Sequence, residues 1–352
     1  MPSEKPFIIP VFIPHAGCLH QCAFCNQAKI TSVRRQLLSS EQFRLLVEGF
    51  LNYKGSRRKL VQIAFYGGTF LGLEKNDIER LLREADRFVQ AGKVDGIRFS
   101  TRPDTVDQKR LDIIRDFPVS TIELGVQSMD DRVLKQSRRG HTAADTERAF
   151  YLLREQGYEV GMQMMVGLPG ENHASALDTG KKIAALSPDM VRIYPTVVIE
   201  NSPLARWYRD GKYMPLPLDA CVTLVKQLYL LFQEKNIRVI RMGLQASEDF
   251  EKGTSILAGP YHPAFGHMIY SEIFLDILSA ALTVQNIPQK SVPHGTISIR
   301  VHPRNISKMR GMNNKNIDIL KRQFHLTAVD VTPDDMLGED AFMVQDTRTL
   351  PQ

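Results

Sequence analysis

The sequence predicts an α/β chain: an open, partial (β/α)6 barrel followed by a smaller α+β extension. Two observations predict it. Short apolar runs rich in β-branched residues alternate with amphipathic helical stretches from Phe7 to beyond Pro203, and that alternation implies parallel strands joined by crossover helices. The glycine-rich and polar phrases all follow strands, the side on which a βα barrel collects its site. Six repeats are too few to close an eight-fold barrel, so the sheet is expected to stay open. The expected divisions are a core over residues 1–245, an α+β extension over 246–335 and a partly disordered tail over 336–352.

The elements follow in order. Residues 7–13 are an apolar run that stops at Pro14, a first strand delivering a cysteine loop. Ser39 and Gln42 are spaced as a capping box, and Phe43, Leu46, Val47, Phe50 and Leu51 recur at helical spacing behind them. Residues 60–66 read as a buried strand ending at Gly67-Gly68-Thr69. Further strands are expected over 97–100, 121–125, 159–166 and 190–194. Helices are expected over 76–90, 108–116, 143–156 (capped by Thr142 with Asp145), 174–186, after Pro203, and over 219–236. Beyond residue 245 a turn-rich phrase leads into a helix over 267–282, and residues 296–302 alternate as a half-buried strand.

Composition sets modest bounds. The chain has 352 residues, 43% hydrophobic and 24% charged, with a formal net charge of +6. This is ordinary for a globular protein with ample length for a core, and the positive balance permits a polyanionic partner without requiring one. No apolar run is expected to reach membrane-spanning length, and the first residues lack a signal-peptide pattern. Free thiols point to the reducing cytosol.

Cysteine usage singles out the loop after the first strand. Cys18, Cys22 and Cys25 are spaced by three and then two residues, with Phe24 before the last. Thiolates are the ligands that iron–sulfur clusters take, and three on a four-iron cube leave one iron open. Zinc is the alternative, with His15 or His20 drafted, but neither a second Cys pair nor a spaced His pair follows. A disulfide leaves one thiol over. Cys221, far away in a helical stretch, reads as buried and structural.

The cysteine spacing, with its aromatic residue, resembles the signature of the radical S-adenosylmethionine (SAM) superfamily. The phrases STRPD, ELGVQS, RRGHT, MMVGLPGE and RIYPTVVIENSPL together resemble the radical SAM domain of the Elongator catalytic subunit and its bacterial and archaeal relatives. Two departures stand out. The gap between the first two cluster cysteines is shorter than that subunit usually has, and no acetyltransferase domain is expected. The resemblance implies a barrel of the radical SAM type and a 4Fe-4S cluster on Cys18, Cys22 and Cys25. It implies that the open iron binds the amino and carboxylate groups of SAM, which the reduced cluster cleaves to a 5′-deoxyadenosyl radical.

It also implies that Gly67, Gly68 and Thr69 hold the methionine end of SAM, and that an arginine of the RRGHT phrase, here assigned as Arg139, meets its carboxylate. Gln127 and Gln163, by their places at strand ends, are assigned to the ribose. Met165 has the apolar bulk for an adenine slot or equally for the core. Arg102 suits bidentate recognition of a phosphate or carboxylate, or else a pair with Asp104. The phrase over 255–266 resembles the C-terminal extension of bacterial radical SAM proteins, some coproporphyrinogen-oxidase-like. Its Tyr261 and His262 either face substrate or belong to a loop closing the barrel.

Over residues 300–322 basic side chains recur, with Asp318 the sole acid. Arg304, Lys308 and Arg310 are the candidates to track an RNA backbone, against the alternative of a solvated face. The expected protein is a cytoplasmic enzyme that cleaves SAM and modifies a tRNA base, served by a low-potential donor such as flavodoxin or ferredoxin. The rivals are radical chemistry on a tetrapyrrole or other small molecule, and a metal-stabilised RNA-binding module without catalysis.

Overall fold

This computed structural model describes residues 6–13, 15–26, 37–54, 60–244, 255–284, 295–339 and 341–346. The chain forms two compact units, Met1–Pro263 and Ala264–Gln352.

The first unit is built on one parallel sheet. Its strands lie side by side in chain order: β1 (Phe7–Phe12), β2 (Val61–Tyr66), β3 (Gly96–Thr101), β4 (Val119–Gln127), β5 (Glu159–Val166), β6 (Met190–Pro195) and, past the short β7 (Val198–Ile199), β8 (Arg238–Met242). The helices between them are α1 (Ser40–Lys54), α2 (Lys75–Gln90), α3 (Gln108–Ile114), α4 (Asp131–Gln136), α5 (Ala143–Glu155), α6 (His173–Leu186), α7 (Pro203–Arg209) and α8 (Leu218–Glu234). This is the expected open βα sheet with one more strand. Arg238-Val239-Ile240-Arg241-Met242 interrupts its apolar residues with charge, as an edge strand often does, so no buried-strand run marks it in the sequence.

The capping signals act where the sequence places them. The Ser39 Oγ accepts from Gln42 N at 3.2 Å while Gln42 Oε1 accepts from Ser39 N at 3.0 Å. Thr142 and Asp145 form the same reciprocal box at the start of α5.

The two faces of the sheet differ in chemistry. One carries Phe65 and Phe99, fully buried, with Phe70 between them at ring distances of 4.8 and 4.5 Å. The opposite face is polar. Register places Ser100 beside Glu123, Gly125 beside Gln163 and Gln163 beside Arg192, and side chains two apart along a strand share a face. Tyr66, Arg98, Glu123, Gln163 and Arg192 therefore belong to one surface.

The first unit runs on to Pro263, beyond the expected limit at 245. The reason is β9 (Ile256–Ala258), which pairs antiparallel with β7. The second unit holds α9 (Phe265–Val284), β10 (Thr296–Val301), α10 (Ile306–Arg310), α11 (Lys315–Gln323), β11 (Ala328–Pro333) and β12 (Phe342–Asp346). Its sheet order is β11-β10-β12, with β10 parallel to β11 and antiparallel to β12. The expected disordered tail thus contains an ordered strand, held by pairing to β10. By length and composition α9 also qualifies to cross a membrane, which the sequence reading did not anticipate. Its Leu278 and Leu282 pack into a core with Ile297, Ile299 and Leu320.

Candidate active site

The loop after β1 carries Cys18, Cys22 and Cys25, none of them in a disulfide, with Cys22 buried and the others half-buried. Backbone contacts fix this loop. Thr69 N donates to Ala16 O at 2.9 Å, and Ala23 N donates to Ser137 O at 2.9 Å. An added Cβ on Gly68 would lie 2.3 Å from Ile13 O, and one on Gly17 would lie 2.2 Å from Thr69 O. Glycine at both positions is therefore a packing requirement. The Gly67-Gly68-Thr69 turn is the one assigned to the methionine end of SAM, and at Gly68 its backbone is approached closely by the cysteine loop. Thr69 is buried, with its Oγ1 3.2 Å from Cys18 Sγ.

Two buried arginines surround Cys22. Arg139 Nη1 donates to Cys22 Sγ at 3.2 Å and its Nη2 donates to Gly125 O at 2.6 Å, while its buried Nε has no partner. Arg102 is only 2% exposed. Its Nε and Nη2 meet Asp104 at 2.9 and 3.0 Å, Nη2 also donates to Arg139 O, and Nη1 lies 3.9 Å from Cys22 Sγ. Of the two readings of Arg102, phosphate recognition (as on a nucleic acid) or a pair with Asp104, the structure shows the pair, with Asp104 and the Arg139 carbonyl taking its Nε and Nη2 donors. Arg138, the neighbouring candidate, lies 5.0 Å over the Trp207 ring.

Gln127 closes β4 with φ +68°, just past a register shift in its pairing with β5. That bulge turns its side chain toward Gln163, whose Nε2 donates to Gln127 Oε1 at 3.4 Å. The two residues assigned to the ribose thus meet. Met165 packs with Val133, Leu168, Phe24 and Tyr194, joining the aromatic residue of the cysteine loop to β6. Tyr261 packs on Val197 and Ile199, and His262 is half-buried beside it in the sequence.

Sequence reasoning missed the ion network on the polar face. Glu123 is buried and accepts from Arg192 Nε at 2.5 Å and Tyr66 Oη at 2.9 Å, with Arg98 Nη2 at 2.8 Å. Burial opposes its charge, but Arg192 and Arg98 outweigh burial and hold the carboxyl below the ordinary range. Two guanidiniums on one carboxylate leave this face net positive. The available signal was a charge inside an otherwise apolar strand, as in Ile97-Arg98-Phe99 or Val191-Arg192-Ile193. His141 was also missed. Its Nε2 lies 3.2 Å from Val126 O, its Nδ1 is buried without a partner, and burial, then Arg139, pushes its pKa down to about 3.

Among the described residues, no three His, Cys, Asp or Glu groups converge as a single metal ion needs. A four-iron cube takes its three thiolates at separate corners. Three thiols on one loop and a buried guanidinium with an open N–H beside the middle thiol fit such a cluster carrying an anionic ligand.

The candidate RNA contacts lie in the second unit and are partly neutralised. Arg304 pairs with Glu339 at 2.5 Å. Lys308 Nζ meets Asn305 Oδ1 at 2.8 Å and lies 5.0 Å over the Tyr270 ring. Arg310 donates to Val331 O at 3.2 Å.

Comparison with known proteins agrees with this geometry. The Radical SAM superfamily family model matches residues 12–183, and the Radical_SAM C-terminal domain matches residues 188–274. An uncharacterised protein of Methanocaldococcus jannaschii is 31% identical over 237 residues, covering 63% of this chain and 71% of that protein. The tRNA uridine(34) acetyltransferase of Dehalococcoides mccartyi is 34% identical over 139 residues, 39% of this chain but only 30% of its own length. The Elp3 structure of Methanocaldococcus infernus aligns with a TM-score of 0.61 over 78% of this chain and 64% of its own, at 23% identity, and so shares the fold. With three thiols on the loop after β1 and the family matched from that loop onward, this chain belongs to the radical SAM superfamily and is an enzyme whose cofactors are a 4Fe-4S cluster and SAM.

Proposed function

We propose that the chain cleaves SAM reductively and directs the resulting radical to a base of tRNA. The observation that carries this reading is the contact of Arg139 with Cys22 and of Gln163 with Gln127, the two pairs adjoining at Gly125 near the end of β4, together with the likeness to tRNA uridine(34) acetyltransferases. Cys18, Cys22 and Cys25 hold the cluster. Arg139, with its unpartnered Nε, meets the carboxylate of SAM; Gln127 and Gln163 orient the ribose; Met165 and Phe24 keep water from one side. When bound, the cofactors supply an electron and a 5′-deoxyadenosyl group, the source of a carbon radical. The chain's own residues position SAM, exclude water and oxygen and aim one substrate hydrogen. A low-potential donor such as flavodoxin or ferredoxin completes the system.

Anaerobically reconstituted protein with a strong reductant should form 5′-deoxyadenosine and methionine. Mass spectrometry of nucleosides from tRNA incubated with it should find one altered base. Arg139→Ala should weaken SAM binding about tenfold, the loss of one charge-assisted contact. If SAM is cleaved but every tRNA nucleoside stays unchanged, the tRNA assignment fails.

A further inference from the structure

The second unit extends well past residue 274, where the family match ends. Its centre is a βααβ arrangement: β10, α10, α11 and β11, with β10 and β11 parallel neighbours. The two helices are joined by Gly311-Met312-Asn313-Asn314. We propose that this unit binds single-stranded RNA in the manner of a KH module, with the turn at 311–314 gripping the sugar-phosphate backbone. The choice of RNA rests on the tRNA reading above; the site does not.

KH modules clamp about four backbone nucleotides with a GXXG loop. Here the first position is glycine, at φ +71°, and the fourth is Asn314 at φ +61°. Asparagine enters the left-handed region more readily than other side-chain-bearing residues, so the turn keeps a glycine-like backbone at both ends. It is also held rigidly. Asn316 is buried, and its Nδ2 donates to Ser271 O at 2.8 Å, Met309 O at 3.2 Å and Lys308 O at 3.3 Å. A Cβ on Gly311 would lie 2.8 Å from Asn316 Oδ1. Substitution there would push the turn away from its anchor.

Charge and exposure suit a polyanion. Arg310, Asn313, Asn314 and Lys315 are exposed, and no acidic residue occurs between Asn305 and Asn316. Arg310 reaches from the turn to β11, the edge strand of its sheet, through its bond to Val331 O. A strand of RNA lying along this path meets basic side chains on both sides of the turn and polar backbone at the sheet edge. Because Glu339 neutralises Arg304, the main contacts are the turn, Arg310 and Lys315.

The test is fluorescence anisotropy of the full-length, cluster-loaded protein with a labelled single-stranded RNA octamer. Met312→Asp combined with Asn313→Asp places two carboxylates where phosphates would sit, and should weaken binding at least tenfold. Lys315→Ala should lower the slope of log K against log salt by about 0.7, one contact on a single strand. Iron content, circular dichroism and RNA-free 5′-deoxyadenosine formation should not change. If the double variant misfolds, Lys315→Glu tests the same surface with a smaller perturbation. Unchanged RNA affinity in the correctly folded variants overturns the proposal, as does tight binding of single-stranded DNA with none of RNA. If tRNA is modified although the turn binds no RNA, this inference falls and the function stands. If the turn binds RNA but no tRNA base changes, the reverse holds.

Discussion

The Cys22 sulfur is the point at which several choices in the chain meet. Arg139 donates to it, Arg102 flanks it, and Asp104 balances Arg102. Breaking a buried pair by removing one partner strands the other charge, a cost of about 3–5 kcal/mol. Asp104 keeps some solvent contact, with 19% of its side chain exposed, so Asp104→Ala is expected to lose about 2–3 kcal/mol of stability in urea melts, at or just below the lower bound of that range. Loss of less than about 0.5 kcal/mol, the level of an exposed pair, would show that Arg102 finds other compensation. His141 titrates near the same centre. Folded, its pKa lies at about 3 instead of 6.5 because burial and Arg139 disfavour the cation. Between those values the unfolded chain takes a proton that the native state refuses, so stability falls as pH drops from about 6.5 toward 3. His141→Asn should remove that part of the acid sensitivity, with a slope reduced by up to about 1.4 kcal/mol per pH unit. Identical pH profiles for the two proteins would mean that the ring is protonated in the fold.

Among the elements, those governed by near neighbours were legible in the sequence. The Ser39–Gln42 and Thr142–Asp145 boxes need only residues three apart, and the apolar runs of β2 and β5 need only their own composition. Register is different. Glu123 meets Arg192 because β4, β5 and β6 are aligned in space, and no local pattern of the sequence records that alignment. The role of Gly68 was hidden for the same reason: its neighbours are carbonyls of the β1 loop, some fifty residues earlier. Gly68→Ala forces a methyl group against backbone on the far side, and neither wall is a flexible side chain. Such overpacking costs about 1–3 kcal/mol. The loop carrying Cys18, Cys22 and Cys25 should shift, lowering iron per chain after reconstitution while far-UV circular dichroism is retained. Full iron content with unchanged melting would show that the turn yields without moving the loop.

Across the whole molecule, the fold separates chemistry between two compact units, each with its own core. The three thiols proposed to hold the cluster lie in Met1–Pro263, and the core of Leu278, Leu282, Ile297, Ile299 and Leu320 contains no cysteine. The Elongator-like phrases of the sequence all fall in the first unit. The basic run in the second read as one charged stretch, because its balancing acids, Asp334 and Glu339, arrive from later in the chain. On the proposed ligation by Cys18, Cys22 and Cys25, cluster binding would tie the loop after β1 at three points, and a ligand that binds only the native form suppresses the opening of the segments that hold it. Hydrogen exchange on cluster-free and cluster-loaded protein should therefore differ locally. Amides over 15–26 and 66–72 should slow about tenfold or more on loading, equivalent to at least about 1.4 kcal/mol of local stabilisation. The second group belongs because Thr69 N donates to Ala16 O and Gly72 packs on Gly17. Amides of β10 and β11 should exchange at the same rate in both states. Equal slowing along the whole chain would show that loading stabilises the molecule globally. Slowing confined to residues 296–333 would place the cluster elsewhere and remove Cys18, Cys22 and Cys25 as its ligands.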